Sequence, residues 1–434
     1  MNFSEEQILQ LAPDEASRKA GTALAQPAKW VSRGASETAL WGECAGSGSK
    51  PYQTIIDLSA PAFKCSCPSR KAPCKHGLGL FLLHARQPGG FTATEMPAWV
   101  GEWIGKRAEK AQKQPAAAKP VDETAQARRL QAREQKVSDG IDDLLLWLKD
   151  LVRNGLLSAP DKGAAWWEGA ARRLVDAQAP GLAALVKGLG QAPFYRDGWQ
   201  SAFLDNLLDI YLLATGYRNR ALLPLPLQQE IRSRVGFTQS TEDLKQQPGI
   251  TDTWLVLAKQ LTEEDNLTVE RTWLQGLEGG QPALLLQFLA RGQSPSGQLS
   301  LVPGQYLEAE LVFYPGALPL RALLKEPGAA ASRPPQQVLE GWQEVLAQET
   351  SLFARMPVRG DRPYLVESLT PVPRGGRWWL MDAAGALMPL KEDFKNIWQL
   401  LAYSGGQPLR TALLGHGNSY EPLGIWHRQE YKPL

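Results

Sequence analysis

The sequence predicts an α+β multidomain protein with a small cysteine-containing N-terminal module, a helical middle region and a β-rich C-terminal region. Three observations lead to this prediction. The chain has 434 residues, which corresponds to about three domains of roughly 150 residues each. Its apolar periodicity changes from the helical to the alternating type around Asn266. Three of its four cysteines lie within one stretch of ten residues.

The composition is that of a globular protein. Apolar residues make up 43% and charged residues 21% of the chain, both close to globular averages. The net charge of +2 does not indicate a nucleic-acid-binding protein, so any basic surface must be local. No apolar run approaches the ~18 residues that span a bilayer, and the first ten residues, MNFSEEQILQ, lack the features of a secretory signal. We therefore expect a cytoplasmic protein without a membrane partner.

The strongest local signal is a group of metal-ligand residues. It reads C-x-C, six residues, then C-x-H, and consists of Cys65, Cys67, Cys74 and His76. Thiolate and imidazole are ligands that zinc prefers, and a closed structural site needs four of them. A disulfide between Cys65 and Cys67 would be strained, and incidental burial explains such clustering poorly. The pattern predicts one structural Zn²⁺ ion, whereas Cys44 is expected to pack as a small apolar side chain.

The segments before and after these ligands have patterns typical of strands and a helix. The helix-like stretch 77–85 follows His76, and strand-like stretches precede Cys65 on both sides of a Gly46-Ser-Gly-Ser turn. Residues of about 40–86 together resemble a SWIM-type zinc finger. The resemblance implies the same four metal ligands and a function in binding DNA or protein. Bacterial proteins of similar layout are often encoded beside a MoxR-type AAA+ ATPase and a von Willebrand factor A-domain protein, which the resemblance implies as candidate partners.

The surroundings of the predicted finger are basic. No acidic residue occurs from Leu58 through Thr94. Three thiolates on a divalent ion leave a formal charge of −1, so nearby cations can balance the site. Alternatively, the cations can contact phosphates or an acidic partner. Both interpretations stay open for the four basic residues nearest the ligands, Lys64, Arg70, Lys71 and Lys75.

Composition and periodicity divide the chain into four segments. Residues 1–104 form the N-terminal module, and residues 105–137 form a charged Ala/Pro linker that becomes helical after Val121. Residues 138–262 are predicted to be helical, including the segment that begins at Trp254. The apolar positions expected to build a helical-bundle core are Ile141, Leu144, Leu145, Leu148, Leu151 and Val152 in one helix and Leu204, Leu207, Leu208 and Tyr211 in another.

Residues 263–434 are predicted to be β-rich with one or two helices. Alternating apolar positions indicate strands, and pairs such as Gly375-Gly376 indicate turns between them. A helix is expected at about 338–348, and His416, inside a Gly-His-Gly triplet, is expected in a turn.

No known catalytic motif occurs in the chain. It contains no HExxH, no dinucleotide-binding fingerprint, no GxSxG and no phosphate-binding loop, and four protein ligands leave zinc no open position for catalysis. We therefore expect an interaction or adaptor protein rather than an enzyme. A nucleic-acid-binding protein that uses the finger and the basic linker is the alternative. An enzyme with an unfamiliar site in the C-terminal two-thirds is a second alternative, which would need a sizeable pocket with convergent polar groups.

Overall fold

The computed structural model describes residues 5–46, 50–58, 62–69, 71, 73–91, 96–112, 123–196, 198–264, 267–290, 301–325 and 327–434. The fold is α+β and multidomain, as the sequence predicts, with a helical middle region followed by antiparallel sheets. None of the described helices combines the length and apolar character that crossing a bilayer requires.

The N-terminal module is a four-stranded antiparallel sheet with helices on both faces. Successive side chains of a strand point to opposite faces. Leu40 and Ile56 therefore pack against the first three helices, while Trp41 and Ile55 pack against the fourth, at Val100. The elements are α1 (Glu5–Gln10), α2 (Glu15–Leu24), β1 (Trp30–Ala35), β2 (Ala39–Cys44), β3 (Tyr52–Asp57), β4 (Ala62–Cys65), α3 (Lys75–Arg86) and α4 (Ala98–Gln112).

Helices α2 and α3 approach each other closely at two glycines. A Cβ atom added to Gly79 would lie 2.7 Å from the Cβ of Leu24, and one added to Gly21 would lie 2.7 Å from the Cβ of Leu78. Real Cβ atoms do not approach this closely, so the contact requires residues without side chains. The two glycines therefore set the position of α3 relative to α2.

The predicted linker is largely helical where it is described. Helix α4 continues through Gln112, and α5 (Glu123–Arg153) begins well before the apolar periodicity that predicted it. The expected helix after Val121 is confirmed from Glu123 onward. Residues 113–122, with the Ala/Pro tract, lie outside the described residues.

The middle region is a helical bundle around one apolar core. Aromatic rings form part of this core, with the Trp167 ring 4.7 Å from Trp166 and 6.0 Å from Phe203 between centroids. Met356 and Val358 from the C-terminal region also pack into it. The helices that follow α5 are α6 (Ala164–Asp176), α7 (Pro180–Leu189), α8 (Trp199–Arg218), α9 (Leu225–Val235) and α10 (Thr241–Lys245).

Helix α8 differs from the sequence prediction in the face that it buries. Of the predicted core positions, Leu207 is buried, but Leu204, Leu208 and Tyr211 are exposed. The helix carries apolar residues on two faces, and the face that contains Phe203, Leu207 and Ile210 is the one in the core. Leu212 continues the exposed row, in which each side chain exposes 37–45% of its area. Val152 of α5, also predicted to be buried, is exposed.

The C-terminal region contains two antiparallel six-stranded sheets. The elements are β5 (Ile250–Glu264), β6 (Leu267–Gly276), β7 (Pro282–Ala290), β8 (Tyr306–Phe313), β9 (Ala322–Leu324), β10 (Gly328–Ala329), α11 (Trp342–Arg355), β11 (Arg362–Arg374), β12 (Arg377–Asp382), β13 (Leu387–Pro389), α12 (Ile397–Ser404), β14 (Leu409–Gly415), β15 (Tyr420–His427) and β16 (Glu430–Pro433). The first sheet has the order β10-β8-β5-β6-β7, with β9 paired to β8, and the second has the order β13-β12-β11-β14-β15-β16.

The predicted helix at Trp254 is wrong, because this segment is the central strand β5. Trp254 and Val256 pack on one face of the first sheet, while Leu255 and Leu257 pack between the two sheets. A strand that is buried on both faces reads as a continuous apolar run, which periodicity cannot distinguish from a buried helix. The Tyr431 hydroxyl donates a 2.9 Å hydrogen bond to the Leu257 carbonyl and joins the sheets.

The turn between β14 and β15 contains a charged histidine cluster. His416 lies in this turn, as the sequence predicts, with Nδ1 2.9 Å from Asp361 Oδ1 and Nε2 3.0 Å from Glu421 Oε2. Burial disfavours the charged ring, but the two carboxylates outweigh burial and raise the pKa of His416 to about 9. Lys391, which binds Glu421 at 2.8 Å, opposes this shift.

We expect the C-terminal region to lose stability as the pH rises from neutral to alkaline. Because the folded pKa of His416 is above its ordinary 6.5, its contribution is complete below pH 6.5 and is lost as the pH passes about 9. The full effect is at most about 3 kcal/mol. Urea unfolding of the wild type at pH 6.5 and at about pH 9.5 measures it. His416→Gln should remove most of this difference and His427→Gln should retain it. An equal pH dependence in wild type and His416→Gln would contradict the prediction.

Candidate metal centre

Four predicted ligands converge where the sheet of the N-terminal module meets α3. Cys65 is the last residue of β4 and pairs with Thr54 of β3. The pairing continues past the strand, because the Ser66 backbone N–H donates to the Gln53 carbonyl at 2.9 Å, and this fixes the start of the loop that carries Cys67. Cys74 is the N-cap residue of α3, and His76 lies in the first turn of that helix.

The geometry of the ligand atoms fits one tetrahedral metal ion. One donor atom from each of Cys65, Cys67, Cys74 and His76 lies within 4.8 Å of all the others. His76 Nδ1 is 3.7 Å from Cys65 Sγ and 3.9 Å from Cys74 Sγ. Tetrahedral zinc, with Zn–S of about 2.3 Å and Zn–N of about 2.0 Å, places S and N about 3.5 Å apart. The donor set and its spacing therefore suit a closed metal site.

Neighbouring side chains orient the ligands. The Thr54 Oγ1 atom lies 3.3 Å from Cys65 Sγ, and the Tyr52 ring lies 4.9 Å from the His76 ring between centroids. Outer contacts of this kind fix the direction in which a ligand presents its lone pair. His76 and Cys74 are only 4% and 6% exposed, so the helix side of the site is shielded from water.

The clustered thiols have unequal acidity. A hydrogen bond from the Cys65 thiol is the largest cause that lowers the pKa of Cys74, to about 4, and the same contact raises the pKa of Cys65. Burial raises the pKa of Cys67. Because the thiolate is the form that binds a metal, metal binding must release protons from the thiols of the cluster.

Cys44 and His84 lie outside this group. Cys44 is fully buried in the apolar core between the sheet and the first three helices. This agrees with the expectation that it packs as a small apolar side chain. The His84 ring packs edge-on against Phe91 with 4.9 Å between centroids.

The basic residues near the centre are partly neutralised by the first two helices. Lys71 binds Asp14, the N-cap residue of α2, at 2.6 Å. This contact is the largest cause that lowers the pKa of Asp14 to about 2. Arg86 binds Glu5 at 2.8 Å. Lys64 and Lys75 are exposed, and Arg70 lies outside the described residues.

Comparison with known families places a SWIM-associated domain in the same chain. Residues 132–235, from α5 through α9, match the SWIM-associated four-helix bundle domain. No curated protein and no solved structure matches the chain. The match of the bundle supports the resemblance to SWIM-associated proteins, and the Cys/His cluster supports the presence of a metal-binding module.

A second candidate site was not found by sequence reasoning. A cavity of about 500 Å³ lies between the bundle and the two C-terminal sheets. Its lining comes from separate parts of the chain, including Glu230 on α9, Glu349 on α11 and Asn418 in the β14–β15 turn. No short motif connects these positions. The cavity therefore combines residues that no pattern in the sequence brings together.

Proposed function

We propose that this protein is a zinc-binding interaction or adaptor protein. The observation that carries the proposal is the Cys₃His cluster, whose four donor atoms lie within 4.8 Å of one another. A thiolate-rich tetrahedral set favours zinc over harder cations. Because four protein ligands complete the coordination shell, the ion stabilises the module and offers no position for a reacting water. Metal analysis of the protein purified without chelators should give one zinc per chain, and absence of stoichiometric metal would overturn this proposal.

The thiolate chemistry of the cluster also supports a cytoplasmic location for the protein. The cluster requires thiolates, and the cytosol keeps cysteines reduced. The resemblance to bacterial SWIM proteins suggests a MoxR-type AAA+ ATPase and a von Willebrand factor A-domain protein as candidate partners.

An apolar surface on the bundle supports a protein partner. Leu204, Leu208, Tyr211 and Leu212 form a row on the exposed face of α8, which we call the α8 row. These positions follow the i, i+4, i+7, i+8 spacing of one helix face. Exposed apolar residues that form a contiguous patch mark interaction sites more often than scattered ones do.

We expect a charge in the α8 row to abolish partner capture without unfolding the bundle. Leu208 is 45% exposed, so Leu208→Glu places its carboxylate at the surface and costs little stability, while it introduces an unpaired charge into an apolar interface. The measurement is affinity purification of tagged full-length chain from its native cell. Leu157→Glu is the matched control, because Leu157 is 74% exposed and lies outside the row. Equal recovery of partners by both variants would contradict a role for the row.

Nucleic-acid binding is the second candidate function. Lys64 and Lys75 are exposed beside the metal centre and form no ion pair with a described residue. Fluorescence anisotropy with DNA and RNA oligonucleotides tests this function. Phosphate contacts predict affinity that falls steeply with salt and that weakens in Lys64→Ala/Lys75→Ala. Absent or salt-independent binding would remove this candidate.

A further inference from the structure

The cavity between the bundle and the C-terminal sheets has the features of a ligand site. Its volume of about 500 Å³ lies within the range of about 300–1,000 Å³ that is typical of small-molecule pockets, and such pockets favour junctions between structural units. One wall comes from α9, another from α11, and a third from the segment 314–321 that follows β8.

Most charged groups that line the cavity already have partners. Arg234 binds Glu230 at 2.9 Å, and Arg359 binds Asp209 of α8 at 2.8 Å. Asp361 is paired with His416 at 2.9 Å. These charges are therefore compensated within the protein.

Two guanidinium groups in the lining have no carboxylate partner among the described residues. Arg321 stacks on the Tyr314 ring, with its Cζ 4.3 Å from the centroid, and Arg362 forms no ion pair or side-chain hydrogen bond with a described residue. Burial is the largest cause that lowers the pKa of Arg362, and Arg355 acts in the same direction, whereas Tyr364 and Glu230 act against it. A desolvated cation without an ion-pair partner is costly, so Arg362 is prepared to bind an anion, and Arg321 lines the same cavity.

The remaining carboxyl group of the lining is held by hydroxyl groups. Tyr420 donates to Glu349 Oε1 at 3.0 Å, and Tyr364 also hydrogen-bonds to this carboxyl group. Burial raises the pKa of Glu349. Glu349 therefore has its own donors and does not neutralise Arg321 or Arg362.

The other walls of the cavity are apolar. Leu318, Leu320, Phe353 and Met356 line it together with Leu284 of β7. An inorganic anion would leave this surface without contacts, whereas a ligand with an apolar or aromatic body would cover it.

We propose that the cavity binds a small amphipathic anion, whose phosphate, sulfonate or carboxylate group pairs with Arg321 and Arg362 and whose apolar or aromatic body packs against the leucine and phenylalanine side chains. Planar guanidinium groups bind such oxyanions through paired hydrogen bonds. This site is separate from the metal centre and adds a small-molecule function to the proposed adaptor role.

The test uses the full-length protein and two fluorescent probes that differ in charge. Anilinonaphthalene sulfonate carries an anionic group on an aromatic body, and N-phenylnaphthylamine carries the same body without the charge. We expect saturable binding of the sulfonate with one site per chain and about tenfold or more weaker binding of the neutral probe. Amide exchange should show protection by the sulfonate within residues 314–321 and 356–364. Equal affinity for both probes, or protection elsewhere alone, would overturn the proposal.

Substitutions identify the groups that bind the anion. Arg362→Met should weaken sulfonate binding about tenfold or more, and Arg321→Gln/Arg362→Met about a hundredfold, while Arg362→Lys should retain part of the affinity. Arg172→Met, at an exposed position of α6, is the matched control. Near-UV circular dichroism verifies that each variant is folded. Wild-type affinity in a folded double variant would contradict the role of the two arginines.

Competition distinguishes the sources of such an anion. Adenosine monophosphate joins a phosphate to an aromatic base, and decanoate joins a carboxylate to an alkyl chain. Displacement of the sulfonate probe by only one of these two compounds would show whether the cavity prefers an aromatic or an alkyl group. Failure of both to displace it would reject the proposed chemistry. All of these measurements are independent of zinc, so they can fail while the proposed adaptor function stands.

Discussion

Cys74→Ser is expected to unfold the N-terminal module while the bundle and both C-terminal sheets stay folded. Structural zinc contributes about 10–16 kcal/mol in small metal-binding domains, which is as large as the whole stability of a typical domain, about 5–15 kcal/mol. Cys74 contributes one of the four donor atoms of the Cys/His cluster and is also the N-cap residue of α3. Its loss should therefore release the metal and separate α3 from the sheet.

Amide exchange of the full chain and metal analysis measure this outcome. Protection of Cys65 through Leu83 should be lost in Cys74→Ser, as it should be when a chelator removes zinc from the wild type. Cys44→Ala is the matched control, since Cys44 is fully buried but lies outside the cluster, and it should retain one zinc per chain. Unchanged protection in the metal-free protein would show that the ion does not stabilise the module.

Trp167→Ala should destabilise the helical bundle by about 3–5 kcal/mol. Trp167 is 2% exposed and packs among the rings of Trp147, Trp166 and Phe203. Removing the indole leaves a cavity that the surrounding helices cannot fill without losing their own contacts. The effect should appear in hydrogen exchange of α5 through α8 and in denaturant unfolding of the full chain.

Trp167→Phe is the informative comparison. The buried Trp167 Nε1 atom has no hydrogen-bond partner among the described residues, so replacement of indole by phenyl removes an unsatisfied donor and retains much of the aromatic contact. We expect this variant to lose well under half of the stability lost in Trp167→Ala. Equal losses in the two variants would contradict this prediction, because they would mean that the retained phenyl ring contributes nothing to the stability of the bundle.

The Cys/His cluster could be predicted because its four members are local in sequence. Cys65 and His76 are eleven residues apart, and the chemistry of thiolate and imidazole restricts what such a cluster can do. The partner of Lys71 could not be predicted in this way. The packing of α2 against α3 brings Asp14 to Lys71. The stretch 58–94 contains no acidic residue, yet an acid from elsewhere in the chain pairs with one of its lysines.

The sequence predicted the fold class but misassigned two apolar segments. At Trp254 the helical and buried-strand interpretations rest on the same residues, and only the tertiary structure decides between them, because β5 pairs with β6 and β8 and is buried on both faces. In α8 both faces are apolar, and the packing of neighbouring helices selects the one that is buried. The cavity was missed because its residues come from positions between Glu230 and Asn418.

The close approach of α2 and α3 makes the geometry of the candidate metal centre depend on residues outside the Cys/His cluster. Gly79 follows His76 by less than one helical turn, so a displacement of the helix axis there would be transmitted to the imidazole and to Cys74. One added methyl group at Gly79 would require such a displacement. We therefore expect the coordination geometry of the proposed metal site to limit which residues positions 21 and 79 tolerate. The hydrophobic character of a substituent alone would not predict this limit.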